Sequence, residues 1–209
     1  LKTRLLMVLR FISSTIFLFF SVLLYAQNVS DFFTDDQITK ANTALNINSQ
    51  SEEEKDVILI TNLSRIAPKA FASFLEEFIS VNSINKSGFT KSLNETFLKS
   101  APSKALNPQP ILKQSAKQYA VFAGKSGKVG HYNFKNRMQP LLKQYDLVSE
   151  NCDYGNEKAI DIVFSLLIDE GIENLGHRNT ILNPSNKYIG VSIQPHKKYK
   201  VNCVQHFGG

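Results

Sequence analysis

Apolar residues recur along the chain with two periods. Phe71, Phe74, Leu75, Phe78 and Ile79 stand at i, i+3, i+4, i+7 and i+8, one face of an amphipathic helix that Pro68 opens. Before it, Ser51 precedes Glu52-Glu53-Glu54, a capping residue followed by acids in a first turn, and Val57, Ile58, Ile60 and Leu63 continue that helix. Pro110 opens a further helix in which Leu112, Ala116, Tyr119, Ala120 and Ala123 share a face, and the glycines at 124, 127 and 130 end it. Residues 157–170 read as a helix capped by Asn156 and closed by Gly171, with Ile160, Val163, Phe164 and Leu167 facing the core. Residues 82–109 read as a long surface connection with a short helix at 92–98. The last segment changes period. Residues 188–193 and 199–207 alternate as a hairpin around Pro195, with Tyr199, Val201, Cys203 and Phe207 on one side and Lys200, Asn202 and His206 on the polar side. Helices first and strands late predict an α+β domain in which helices cover a small sheet.

The N-terminus is different in kind. Residues 1–10 are basic, residues 11–25 are almost wholly apolar, and Ala26 precedes a polar run. A positive region, a short apolar stretch and a small residue form the pattern of a secretory signal peptide over 1–26. The apolar run is shorter than the roughly 20 residues that span a bilayer, and no second run of that length follows. The mature chain is therefore expected to be secreted or periplasmic, without a membrane span. Residues 27–51 are rich in Asn, Asp, Ser, Thr and Gln and read as a polar linker, with the domain over 52–209.

Charge adds little to this. The formal net charge is +6, but Lys2, Arg4 and Arg10 sit in the first 26 residues, which contain no acid, so the remainder carries only +3. That gives no support for nucleic-acid binding. Export does change the meaning of the two cysteines, Cys152 and Cys203. Two readings stand side by side. A disulfide would close a loop of about 50 residues, worth roughly 4 kcal/mol in the chain-entropy treatment. Alternatively, both are small buried hydrophobes.

Standard catalytic signatures are absent. There is no HExxH, GxGxxG or GxSxG, and the run Gly124–Gly130 does not match a phosphate loop in spacing. Four histidines remain. His131 and His177 each follow a glycine, His196 falls in the hairpin turn where solvent is expected, and His206 is on the polar side of the last strand. Two acids draw notice: Glu150, before the helix at 157–170, and Asp169 in its last turn beside Glu170. Acids there oppose the helix dipole. Two imidazoles with two carboxylates suit Zn, Mn or Fe, or an acid–base pair, yet the spacing 131, 150, 169, 177 is not diagnostic.

The strings that contain these residues carry more. Gly130-His131, Glu150-Asn151 with Tyr154-Gly155, LLIDEGIENLGHRNTILNP (166–184), YIGV (188–191) and CVQHFGG (203–209) resemble the CAP superfamily of cysteine-rich secretory, antigen 5 and pathogenesis-related 1 proteins, in its bacterial secreted branch. The resemblance implies a three-layer α-β-α sandwich. It also implies a central cleft of two His and two acids: His131, Glu150, His177 and Asp169, with Glu170 as the fallback for the last. A divalent metal, usually zinc, would sit on His131 and His177. Leu166 stands where the family has Trp, Ser149 where it has Gly and Cys152 where it has Ile. Arg178 and Asn179 are expected to be structural, the Arg orienting the carboxylates by bidentate bonds. The implied function is a non-catalytic module that binds a metal and an extracellular ligand (a lipid, a peptide or another partner). The alternatives are a zinc-dependent hydrolase with Glu150 as general base, and a structural interaction module.

Overall fold

The computed structural model describes residues 29–209, so the expected signal peptide at 1–26 lies outside the described residues. Helices α1 (Asp35–Ala41), α2 (Glu52–Ile66), α3 (Pro68–Val81) and α4 (Gly88–Lys99) come first. A two-residue strand β1 (Asn107–Pro108), helix α5 (Pro110–Ser126), short helix α6 (Phe134–Met138) and strand β2 (Val148–Tyr154) follow. Helices α7 (Ala159–Ile168) and α8 (Gly176–Leu182) and strands β3 (Tyr188–His196) and β4 (Lys200–Gly208) complete the order. Among the described residues no helix is long and apolar enough to cross a membrane.

Local chemistry explains the helix starts. Ser51 and Glu54 form a reciprocal capping box at α2. Pro68 and Pro110 each open a helix, where their missing N–H is not needed. The four strands stand in the order β1-β3-β4-β2, with β3 and β4 antiparallel and β4 and β2 antiparallel. On one face Ile189, Val191, Cys203 and Phe207 join the main core with Ile58, Phe71 and Phe164 from α2, α3 and α7. On the other face Val204 and Cys152 pack against Ala116, Tyr119 and Ala120 of α5. The chain is thus the three-layer α-β-α sandwich expected, and the 32 residues between α5 and α7 hold α6 and β2 and carry His131 and Glu150.

Four expectations change. The segment read as a linker is packed on the domain: Thr34 caps α1, and Val29, Phe33, Ala41 and Ala44 enter the main core. Their few apolar side chains sit where they meet α3, with the Phe33 and Phe74 rings 5.7 Å apart. β2 was not foreseen, because VSENCDY has no apolar alternation. The polar side of the hairpin is not a solvent side. Asn202 and His206 are fully buried because α5 covers that face, and Asn202 donates to Ala120 O at 3.3 Å. His196 is likewise buried, its Nε2 donating to Lys128 O at 3.0 Å while its Nδ1 accepts from Lys198 and Tyr199 N–H.

The disulfide reading fails on register. Cys152 faces Val204, and Cys203 faces Asp153, across the β2–β4 pair. Adjacent strand positions point to opposite faces, so one thiol lies on the α5 side and the other in the main core. Both cysteines are free and buried, and burial raises both thiols well above their ordinary value.

Candidate functional site

His131 hangs from the loop after α5, and two tyrosines hold that loop. The Tyr119 hydroxyl donates to Gly130 O and accepts from Tyr132 N–H at 3.0 Å. The Tyr154 hydroxyl accepts from Gly130 N–H at 3.0 Å. Gly130 itself takes a φ of +81°, which turns the chain so that His131 points back to the sheet.

Glu150 on β2 lies directly across from His206 on β4. Its side chain is fully buried and accepts four bonds. Oε1 receives His131 Nδ1 at 2.9 Å and Arg137 Nη2 at 2.9 Å. Oε2 receives Arg137 Nη1 at 2.5 Å and His206 Nε2 at 2.7 Å. Burial works to raise the Glu150 pKa, but the bonds from His131, His206 and Arg137 outweigh it and hold the carboxyl well below the usual range. The Arg137 guanidinium also stacks 3.5 Å over the Tyr119 ring. His206 is pushed down by burial, against the pull of Glu150; it donates through Nε2 and leaves a buried Nδ1 without a partner among the described residues.

Asp169 follows α7 rather than ending it. The helix stops at Ile168, and Asp169 takes a left-handed conformation (φ 59°) in the place expected of Gly171. Its carboxylate accepts from His177 Nδ1 at 2.6 Å, His177 N–H at 2.9 Å and Arg178 N–H at 3.1 Å. The acid therefore caps the start of α8, where the dipole favours it, instead of opposing the dipole of α7. Glu170 does not bond either imidazole: it is exposed and accepts from Ser87 Oγ at 2.5 Å.

The four expected residues meet, as two imidazole–carboxylate pairs with the His131 and His177 rings 6.2 Å apart between centroids. Among the described residues, neither ring has a hydrogen-bond partner at Nε2. His131, Glu150 and Cys152 also form one group whose donor atoms lie within 4.8 Å of one another, a set with the donor types to hold a metal ion. Beside the pair, a cleft of about 590 Å³ is lined by His177, Asp169, Asp153 and Cys152 and by the apolar Ile84 and Ile172.

Arg178 is structural, as expected, but it does not orient the carboxylates through its guanidinium. That group is buried and donates to Leu167 O, Ile168 O, Phe89 O and Ser92 Oγ at 2.7–3.0 Å, closing the end of α7 onto the first turn of α4. Asn179 binds Asn174 O. Replacing Arg178 by Lys leaves three donors on one point for acceptors set in a plane, so about 2 kcal/mol of stability is lost; urea unfolding reads it. The bidentate role belongs to Arg137. Nothing in YNFKNRM marks that residue by sequence. His206 carries a signal, its place in the alternation of the last strand, but alternation alone points it to solvent and the helix that covers that face lies far away in sequence.

The family description "Cysteine-rich secretory protein family" (CAP) matches residues 81–207. No curated protein matches the chain. Three solved structures are similar. An outer surface protein from Borrelia burgdorferi is 18% identical, with 69% of this chain and 93% of that one covered and a TM-score of 0.42. A cysteine-rich secretory protein from Staphylococcus aureus subsp. aureus Mu50 is 16% identical, with 57% and 36% covered and a TM-score of 0.41. An extracellular protein containing a SCP domain from Bacillus anthracis str. Ames is 17% identical, with 57% and 38% covered and a TM-score of 0.41. The match thus spans little more than a third of the last two proteins. At such identities the weight rests on the family match, which takes in both imidazole–carboxylate pairs and more than half of the sequence: this chain belongs to the cysteine-rich secretory protein (CAP) family.

Proposed function

We propose that the chain is an exported binding module whose His131 and His177 hold a divalent metal, zinc first, beside a cleft that takes an extracellular ligand, without catalysis. One observation carries this reading. Each imidazole gives its Nδ1 to a buried carboxylate and keeps its Nε2 free. That is the arrangement in which a carboxylate fixes the tautomer and orientation of a metal-ligating histidine. Two imidazoles on one zinc ion at Zn–N lengths of about 2.1 Å place their ring centroids roughly 5–6 Å apart, close to the 6.2 Å seen. The acids in this reading orient the ligands rather than bind the ion. The group of His131, Glu150 and Cys152 suits a metal less well, since both Glu150 oxygens are taken and burial keeps the Cys152 thiol protonated.

The same bonds speak against hydrolysis with Glu150 as general base. A base needs a free lone pair within reach of the water proton and a pKa near the working pH. Glu150 has four donors on it and a depressed pKa. Asp169 accepts three bonds of its own.

Calorimetric zinc titration of the chain from Gln27 tests the proposal. One ion is expected to bind per chain, with affinity reduced at least tenfold in His131→Ala and in His177→Ala, both folded by circular dichroism. Absence of binding by the folded wild type, or undiminished binding by both variants, overturns it.

A further inference from the structure

The sheet ends differently on its two sides. β1 is two residues long and contains Pro108, a blunted edge. β2 is seven residues long, with neither Pro nor Lys. Its hydrogen-bond phase can be read from its ends. Leu147 and Gly209 exchange both main-chain bonds, and Gly155 N–H donates to Val201 O at 3.0 Å. Stepping by two along the register, Ser149, Asn151 and Asp153 turn their main-chain groups to β4, and Cys152 and Tyr154 turn theirs outward. Among the described residues those outward N–H and C=O groups have no protein partner.

Cys152 and Tyr154 both line the 590 Å³ cleft, so the unpaired edge opens into a concave space and not onto a flat surface. Ile84, Ile172, Leu166 and Ile168 supply the apolar part of its lining. Its charge is one-sided. Asp153, Asp169 and Glu170 line it, with Glu170 alone of the three exposed, and no Lys or Arg does. Unpaired main-chain groups, an apolar lining and an exposed carboxylate with no facing cation together match one ligand chemistry: an extended polypeptide that pairs through its backbone and carries a cation.

We propose that the cleft binds an extended peptide segment containing a basic residue, laid as an added strand along the outer edge of β2 at Cys152 and Tyr154. The proposal names the ligand class for the binding function above and rests on that reading only for the cleft's being a ligand site; it does not require the metal. Two outward residues two positions apart engage a stretch of three to five peptide residues, at about 3.3 Å per residue. The basic side chain meets Glu170, the exposed acid of the lining.

Amide hydrogen exchange at Cys152 and Tyr154 tests this on the chain from Gln27. The probes are three pools of terminally blocked pentapeptides: randomised with Lys at the centre, the same with Glu at the centre, and the Lys pool N-methylated on alternate residues. The Lys pool is expected to slow both amides at least tenfold and saturably, with little effect from the other two. Glu170→Lys is expected to weaken the effect several-fold at low salt. No slowing by the Lys pool, or equal slowing by all three, overturns the proposal. Slowing by phosphatidylcholine vesicles and not by peptides assigns the cleft to a lipid and overturns it also. Zinc binding without peptide protection defeats this inference alone, and peptide protection without zinc binding defeats the metal reading alone.

Discussion

Glu150→Gln is expected to lower stability by about 3 kcal/mol at pH 7, because it removes one side of a buried ion pair and leaves the other uncompensated. Four donors converge on the carboxylate, and the amide of Gln can accept at only one of its two ends. The NH₂ end would then face Arg137 or His206, a donor against a donor. Arg137 keeps some exposure, so part of its charge can be resolvated, which holds the loss near the lower end for buried pairs. In a domain of this size the loss corresponds to a fall in Tm of about 6–12 °C.

The pH dependence fixes the cause. The folded-state pKa of Glu150 is depressed, so its contribution is complete above the unfolded value of about 4.5 and is lost as pH falls below it. The gap between wild type and Glu150→Gln should therefore be widest near neutrality and narrow steadily from pH 5 to pH 3. Urea unfolding at pH 7, 5, 4 and 3 measures it. A gap that stays constant would show that shape, and not charge, sets the loss. His131→Ala provides the contrast, since its side chain is 46% exposed and little of the core rests on it. It should cost less than about 1 kcal/mol while removing one of the two proposed metal ligands.

The second large effect lies at Gly190, on the face of β3 beneath α5. A Cβ there would stand 2.1 Å from Lys113 N and 2.2 Å from Leu112 C, both main-chain atoms of α5. No side-chain rotation relieves such a contact, so the helix would have to lift from the sheet. Leu112, Ala116 and Tyr119 would lift with it, and Tyr119 is one of the two residues that hold the His131 loop. Gly190→Ala is expected to cost about 4 kcal/mol or more, beyond ordinary overpacking. Gly88→Ala is the control. Its position has nothing within 4 Å, and removing a glycine from the first turn of α4 should be neutral or stabilising by about 0.5 kcal/mol. Thermal unfolding of the two variants side by side decides the matter. A Gly190→Ala protein melting within 2 °C of wild type would mean that α5 is not seated on β3 as described.

The helices were legible because their instructions are local. The Phe71–Ile79 stripe, the Ser51 capping box and the Leu112–Ala123 face each lie within a few turns of chain, and each is found as read. The end of α7 was misplaced for a local reason as well: Gly171 suggested the stop, but a carboxylate at Asp169 that can cap the next helix takes the left-handed turn two residues earlier. The site was less legible. The positions of His131, Glu150, Asp169 and His177 came from the resemblance of their strings and not from spacing, and Arg137 and His206 were missed.

What the sequence determined by itself was helices α2, α3, α5 and the body of α7, the late hairpin and the family to which its histidine strings point. Periodicity and capping act between near neighbours and so can be read in one dimension. Only the tertiary structure decided that β2 joins the sheet, that Cys152 and Cys203 lie on opposite faces, and that His206 is a buried partner of Glu150. Those three facts follow from one strand register, set by side chains 48 to 60 residues apart, and a slip of one residue would reverse every face.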